Sequence, residues 1–450
     1  MITRLEAIRY RCFENLGVDL GNYHVIVGAN GSGKTTLLDL PVLFGALLRA
    51  ENVSTPFMSG QEETPPRAGS LGELVFSGRG SDFSLAVEAK LPDDIKTRTL
   101  QGMILRLNSE NAQRVLLNDQ KRWPSHIRYE ITFRVFNNRD LLVVNEYLFV
   151  FPEEHGPDRK LGGFHGALAE ENRHWRLILK RELGNEVELH TEAPTAKGKR
   201  AQSVKFAMPD IQLAMGRVMY EGDAEFPASR WLFSTLTQQT VFLDPNWAKM
   251  RLASPPGLLK KIMPSGRNIP WLALHLKCDG APEGAENGYR SERYDDWVGH
   301  VKTALPQIAD IDVREREDDH HAYFRITYRG GYDVPHSGLS DGTLRILTLT
   351  LLPYLPDLPL ILVTEEPENG IHPQAIEAVL QSLSSLYDSQ IWVSSHSPVV
   401  LGSTEVNHLL CARLTSAHGV QMVSGPDHPR LLNWRKGTDL GLLLAAGVLG

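Results

Sequence analysis

Cysteine is scarce in this chain. Cys12, Cys278 and Cys411 are the only three in 450 residues, too few and too scattered for a disulfide framework or a zinc site. Long apolar runs are missing as well. No stretch approaches the roughly 18 consecutive apolar residues of a membrane-spanning helix. The opening MITRLEAIRYRCF alternates like a strand and has no apolar signal-peptide segment, so a cytoplasmic protein without membrane contact is expected. A basic surplus is lacking too: 47 Lys and Arg stand against 54 Asp and Glu, a net charge of −7. That excludes a global positive field for nucleic acid and leaves only local basic grooves. No internal repeat and no sustained heptad pattern occur, which argues against a long coiled-coil arm. What remains is ordinary soluble composition, 42% apolar and 22% charged, long enough for one large or two ordinary domains.

Residues 1–48 read as strand, turn, strand, loop, helix, with the turn near Gly17 and Gly21. The helix that begins at KTTLLDL is apolar on nearly every side and belongs inside the fold. Pro41 is expected to kink it or to start a second piece. A polar, Pro-containing loop follows over residues 50–70. ELVFSG, FSLAVEAK, MILRLN, RYEITFRVF, LLVVNEYLFVF and RHWRLILKRE then read as strands of an antiparallel sheet. Residues 208–305 look mainly helical, and IDVRERE with AYFRITYRG form a hairpin around the acidic turn Asp318–His321. From Ser340 the pattern is helix, strand, helix, strand.

Gly28-x4-Gly33-Lys34-Thr35 matches the phosphate-binding loop pattern, between a β-branched strand and an apolar helix. In GANGSGKTT, the glycines let backbone N–H groups curl around phosphate oxygens, and the helix N-terminus adds partial positive charge. Gly28, Asn30, Gly31, Ser32, Gly33, Lys34, Thr35 and Thr36 are the candidate nucleotide-binding residues. Lys34 would reach the β- and γ-phosphates, and the Thr35 hydroxyl would ligate Mg2+.

Farther on, LPLILVTEEPENGIHP carries a short apolar strand ending in Glu365 and Glu366. Open α/β sheets place their ligands at that end. Two adjacent carboxylates repel, so a metal or a bound water is expected to offset the clash. Glu365 is assigned to Mg2+, and Glu366 to positioning the attacking water. IWVSSHSPVVL repeats the pattern with His396 at the tip, where it would hydrogen-bond the γ-phosphate. In GLSDGTLRILTLTLL, Ser340, Asp341 and Gly342 open a long apolar helix. Alone, LSDG is an N-cap before a core helix; its position just before the acidic strand gives it further meaning.

Together these elements resemble the ABC-type ATPase heads of the SMC, RecF and OLD proteins. GANGSGKTT resembles Walker A, LSDGT the ABC signature, LILVTEEP Walker B, PENGIHP the D-loop and SSHSP the H-loop. The resemblance implies an α/β P-loop NTPase with an antiparallel β lobe, a helical signature lobe and a large insertion. It divides the chain into an ATPase core at 1–50 and 330–420, a β-rich lobe at 51–207, a mainly helical lobe at 208–329 and a docking tail at 421–450. It implies ATP and Mg2+ as cofactors, Glu366 and His396 as catalytic residues, and Thr35 and Glu365 at the metal. It also implies that two heads meet, with Ser340, Asp341 and Gly342 closing over the nucleotide of the other copy. Two positions depart from the family pattern: Glu365 stands for the usual Asp, and His372 for the D-loop Asp. No glutamine is assigned to a Q-loop. Arg345, one turn into the signature helix, reads either as a relay of closure or as a surface ion-pair partner.

Two readings of function stay open. In the first, an OLD-like defence ATPase controls a separate effector, a nuclease or toxin. The residues after His396 hold no carboxylate cluster for two-metal chemistry, and the apolar tail reads as a docking helix or a helix on its own core. In the second, a RecF- or SMC-like repair ATPase binds DNA directly, through Lys197–Lys205 or Lys260–Arg267. A transporter ATPase fits poorly, because about 150 extra residues separate the loop from the signature. His320 and His321 beside Asp318 and Asp319 form a weak metal candidate against a plain polar turn. Trp271, Tyr294 and Trp297 are expected in the core.

Overall fold

The protein is described by a computed structural model over residues 1–60, 65–105, 109–158, 164–192, 203–221, 225–282, 289–415 and 419–431. In chain order the strands begin with β1 (Ile2–Tyr10), β2 (Phe13–Asp19), β3 (Tyr23–Gly28), β4 (Asp82–Lys90) and β5 (His126–Phe136). They continue with β6 (Asp140–Phe151), β7 (Arg176–Glu182), β8 (Val187–His190), β9 (Ser203–Phe206) and β10 (Thr240–Leu243). The last used below are β11 (Ile308–Glu315), β12 (Ala322–Tyr328), β13 (Asp333–Pro335), β14 (Ile361–Glu365) and β15 (Gln390–Ser394). The chain divides into two compact units, one of Met1–Gly21, Asn30–Gln238 and Ala412–Val423, the other of Asn22–Ala29, Gln239–Cys411 and Ser424–Gly450.

In the first unit β2, β1, β4, β5, β6, β7, β8 and β9 lie side by side, every pairing antiparallel. Alternation of side chains buries Phe83, Leu85 and Val87 of β4 with Ile127, Tyr129, Ile131 and Phe133 of β5. The helix Lys34–Arg49 buries eleven of its residues. It runs on through Pro41, so no second piece starts there. One missing backbone bond costs about 3 kcal/mol, which burial of several Leu side chains at about 2 kcal/mol each outweighs.

Polar groups dock the remaining pieces of this unit. Glu146 is wholly buried on β6 and accepts the Ala214 and Met215 N–H groups at 2.8 and 2.9 Å. Glu192 does the same for Ala228 and Ser229 at 2.7 and 2.9 Å. Each carboxylate sits at the start of a helix, Ala214–Glu221 or Pro227–Gln238, where orphan donors and the dipole favour a negative group. Beneath the sheet, Arg128 reaches Glu6 and Glu130, each at 2.5 Å.

Several readings of this unit are corrected. The first strand segment breaks at Arg11, in the left-handed region at φ 52, so that β1 and β2 form a hairpin rather than one strand. ELVFSG is a pair of tight 3-10 turns, and MILRLN begins inside the helix Asp93–Ile104. In both, short apolar runs gave no period by which to separate strand from helix. Most of the basic loop Lys197–Lys205 and the end of the tail lie outside the described residues.

The second unit holds a parallel sheet in the order β10, β14, β15, β3, beside the antiparallel β11, β12 and β13. Strand β10 was hidden within a stretch read as helical. Its TVFL is too short to show a period, and pairing with β14 decides its state. Tyr294 and Trp297 are wholly buried as expected, and half-buried Trp271 donates its ring N–H to the Ser254 and Pro255 carbonyls at 3.0 and 2.6 Å. At the hairpin turn His320 Nδ1 meets Glu315 at 2.5 Å, and His321 faces Asp319. Among the described residues no group of His, Cys, Asp or Glu is arranged to hold a metal ion, and no helix is long and apolar enough to cross a membrane.

Candidate nucleotide site

The loop after β3 carries the conformations its glycines permit. Val25, Ile26 and Val27 are buried and end the strand at Gly28. Gly31 and Gly33 then lie at φ 76 and 79, a region costly for side chains with a Cβ. At Gly33 an added Cβ would also meet Cys12 Sγ at 2.8 Å, whereas at Gly31 nothing lies within 4 Å. Asn30, Gly31 and Thr35 are exposed, Gly33 and Thr36 half-buried, and Ser32 and Lys34 buried. The Ser32 hydroxyl has no hydrogen-bond partner among the described residues. Lys34 opens the helix, whose first turn has no acid. A buried unpaired hydroxyl, an open glycine face and a helix start without acid all suit a phosphate group and its Mg2+. Gly28 and Ala29 belong to the second unit and Asn30 to Thr36 to the first, so the loop joins the two covalently.

Within the second unit three parallel strands end together. Glu365, the last residue of β14, pairs with Ser394, the last residue of β15. Next to β15, β3 ends at Gly28. Glu366 follows in the left-handed region at φ 42, a conformation that stores strain in a residue with a long side chain. Its carbonyl accepts the Asn369 N–H at 2.9 Å, and further contacts surround it. Its N–H donates to the Ser394 carbonyl at 3.0 Å, Asn369 Nδ2 donates to its Oε2 at 2.9 Å, Arg345 donates to its carbonyl at 3.2 Å, and His396 Nε2 lies 3.7 Å from its Oε1.

Arg345 is not a surface ion-pair partner among the described residues. It is half-buried, stacks over Trp247 at 4.4 Å, and donates to the carbonyls of both Glu366 and Asn369. It therefore clamps the turn after the acidic strand. Glu365 and Glu366 are both half-buried, and the buried acid of the turn is Glu368. Burial raises the Glu368 pKa, the Ser395 bond opposes the rise, and the charge of Glu366 adds to it. Nothing in the spacing of EEPE distinguished this third glutamate.

Ser340, Asp341 and Gly342, expected as a signature, are engaged within the chain itself. Ser340 caps the helix Asp341–Leu351 by accepting the Thr343 N–H at 3.2 Å. Asp341 pairs with Arg251 at 2.8 Å. A Cβ at Gly342 would overlap the Gly370 carbonyl, so glycine there lets the helix start approach the turn. His372, at the D-loop Asp position, is the N-cap of the helix Pro373–Ser384.

Residues 285–402 match a family model described as "AAA domain, putative AbiEii toxin, Type IV TA system". The match takes in Ser340–Gly342, β14 and His396. No curated protein matches the chain. Among solved structures, this chain is similar to an SMC head bound to the C-terminal winged-helix domain of ScpA, at 10% identity over 94% of this chain and 97% of that one, with a TM-score of 0.47. It is similar to a Pyrococcus furiosus SMC head with an extended coiled coil, bound to the C-terminal domain of ScpA, at 12% identity over 94% and 95%, with a TM-score of 0.47. A third similarity is to an SMC head domain from Thermotoga maritima, at 12% identity over 94% and 98%, with a TM-score of 0.37.

Proposed function

We propose that this chain binds ATP with Mg2+, hydrolyses it, and uses nucleotide-driven pairing of two copies to control a partner effector, a nuclease or toxin, in anti-phage defence. The observation that carries the reading is the shared ending of β14, β15 and β3, with Glu366 and His396 3.7 Å apart. Backbone donors from Gly28 to Thr36, with Lys34 and the Ser32 hydroxyl, bind the triphosphate. Thr35 and Glu365 hold Mg2+, which supplies positive charge to the phosphates. Glu366 orients and accepts a proton from the attacking water, and His396 donates to the γ-phosphate. Ser340, Asp341 and Gly342 close over the nucleotide of the other copy. The toxin–antitoxin wording of the matched family supports a defence setting.

The test is steady-state hydrolysis and nucleotide binding by the full chain. Lys34→Ala is expected to abolish binding, and Glu366→Gln to keep binding while turnover falls by about a thousandfold. Wild-type turnover in Glu366→Gln would overturn the assignment. A repair ATPase that clamps DNA is the second reading, supported by the exposed Lys260 and Lys261. Salt-dependent binding of plain duplex by the isolated protein would favour it.

A further inference from the structure

Glu368 takes no part in the reaction outlined above, yet it is the acid most enclosed by the site. It is 9% exposed. Its Oε1 accepts the Ser395 hydroxyl at 2.5 Å, and its Oε2 is buried without a hydrogen-bond partner among the described residues. Ser395 is itself wholly buried. Its Oγ accepts the Ser397 backbone N–H at 3.0 Å, so its single proton is free to point at Glu368. The His396 backbone N–H bears on the same carboxyl. Bonds therefore leave residues 395, 396 and 397 in succession, and the side-chain link ends on the turn that carries Glu366. From the other direction Ser395 N–H donates to the Ile26 carbonyl at 3.1 Å, which ties the same loop to β3.

We propose that Glu368 and Ser395 form a positioning couple that fastens the His396 loop to the Glu366 turn and so sets the spacing between the His396 ring and the Glu366 carboxylate. The proposal rests on the ATPase reading of those two residues. At 3.7 Å the ring and the carboxylate stand just outside hydrogen-bond reach. A shift of a few tenths of an ångström in the loop makes or breaks that bond, and a displacement near 1 Å costs about a hundredfold in rate. The couple is short and enclosed, so side-chain truncation frees the loop without touching the phosphate loop. A neutral amide at position 368 can still accept the Ser395 proton, which makes glutamine a conservative replacement.

The experiment compares Glu368→Ala, Ser395→Ala, the double variant and Glu368→Gln in the full chain. Both alanine variants are expected to keep ATP affinity within about twofold and to lose about tenfold or more in kcat. The double variant should be no worse than the worse single one, because the two act as a unit, and Glu368→Gln should return most of the rate. In ring-labelled protein, the His396 resonance, assigned by its loss in His396→Asn, should move in both alanine variants and not in Glu368→Gln. Wild-type kcat with an unmoved His396 signal in the alanine variants, or additive losses in the double variant, would overturn the couple and leave the ATPase reading standing. A wild-type chain without hydrolysis whose His396 signal still responds would overturn the ATPase reading and leave the couple standing. Should Glu368→Ala fail to fold, Ser395→Ala, which removes one hydroxyl, decides by the same two readouts.

Discussion

Glu366 is held where its own backbone resists. A left-handed glutamate costs on the order of 1 kcal/mol or more, and the turn keeps that conformation because Arg345 fastens the carbonyls of Glu366 and Asn369 together. Trp247 stacks on the guanidinium and limits where it can point. Arg345→Ala removes at once both bonds, which Nη1 donates. Loss of two charge-assisted bonds of about 1.5 kcal/mol each should relax the turn, with kcat falling roughly ten- to a hundredfold and ATP affinity nearly unchanged. Paired measurement of turnover and binding checks this. Arg345→Lys should recover little, since an ammonium cannot stack on the ring and bridge two carbonyls in the same plane.

At the scale of elements, close approaches are specified by absent side chains and by buried acids. The helix Asp341–Leu351 meets the Gly370 turn where a Cβ at position 342 would overlap the carbonyl. Gly342→Ala should therefore cost about 1–3 kcal/mol of stability, seen as a lower thermal midpoint, and turnover should fall with the shift of the neighbouring turn. In the antiparallel sheet, burial opposes ionisation of Glu6, but Arg128 and Arg4 hold its pKa below the usual 4.5. A depressed carboxylate stabilises the fold above its unfolded pKa, and that contribution is lost as pH falls through the folded value. Glu6→Gln should thus be about 3 kcal/mol less stable than wild type near pH 7, and the gap should shrink steadily below about pH 4.5. Urea unfolding across that range measures it; a gap that widens in acid would refute the pairing.

For the whole molecule, the proposed second copy makes a separate prediction. Ser340 is exposed apart from its cap, so Ser340→Arg should block pairing of copies while nucleotide affinity stays near wild type. Light scattering with ATP in a Glu366→Gln background should show a dimer that disappears on adding Ser340→Arg. The cap alone is worth about 1 kcal/mol, and Ser340→Asn, which retains a cap, should keep the dimer if pairing rather than helix stability is at stake. Loss of ATP binding in Ser340→Arg would mean that the residue serves its own protomer only.

Local chemistry was legible in the letters because it depends on neighbours a few positions away. Glycines at 31 and 33, apolar strands closing on acids or on histidine, and a serine before an apolar helix each announce a local geometry. The Ser340 cap, the buried helix after Lys34 and the antiparallel ladder from β4 to β7 all followed from pattern. Where segments lacked a period, as in ELVFSG, MILRLN and β10, only pairing partners could settle the state. Tertiary structure alone decided that Glu368 is the buried acid, that Arg345 clamps a turn, and that Gly342 answers to Gly370. Burial and cross-chain hydrogen bonds join residues far apart in sequence, and no spacing along one strand of text encodes them. The sequence determined which chemical groups stand at the strand ends; packing determined which of them are enclosed, strained and held in reach of one another.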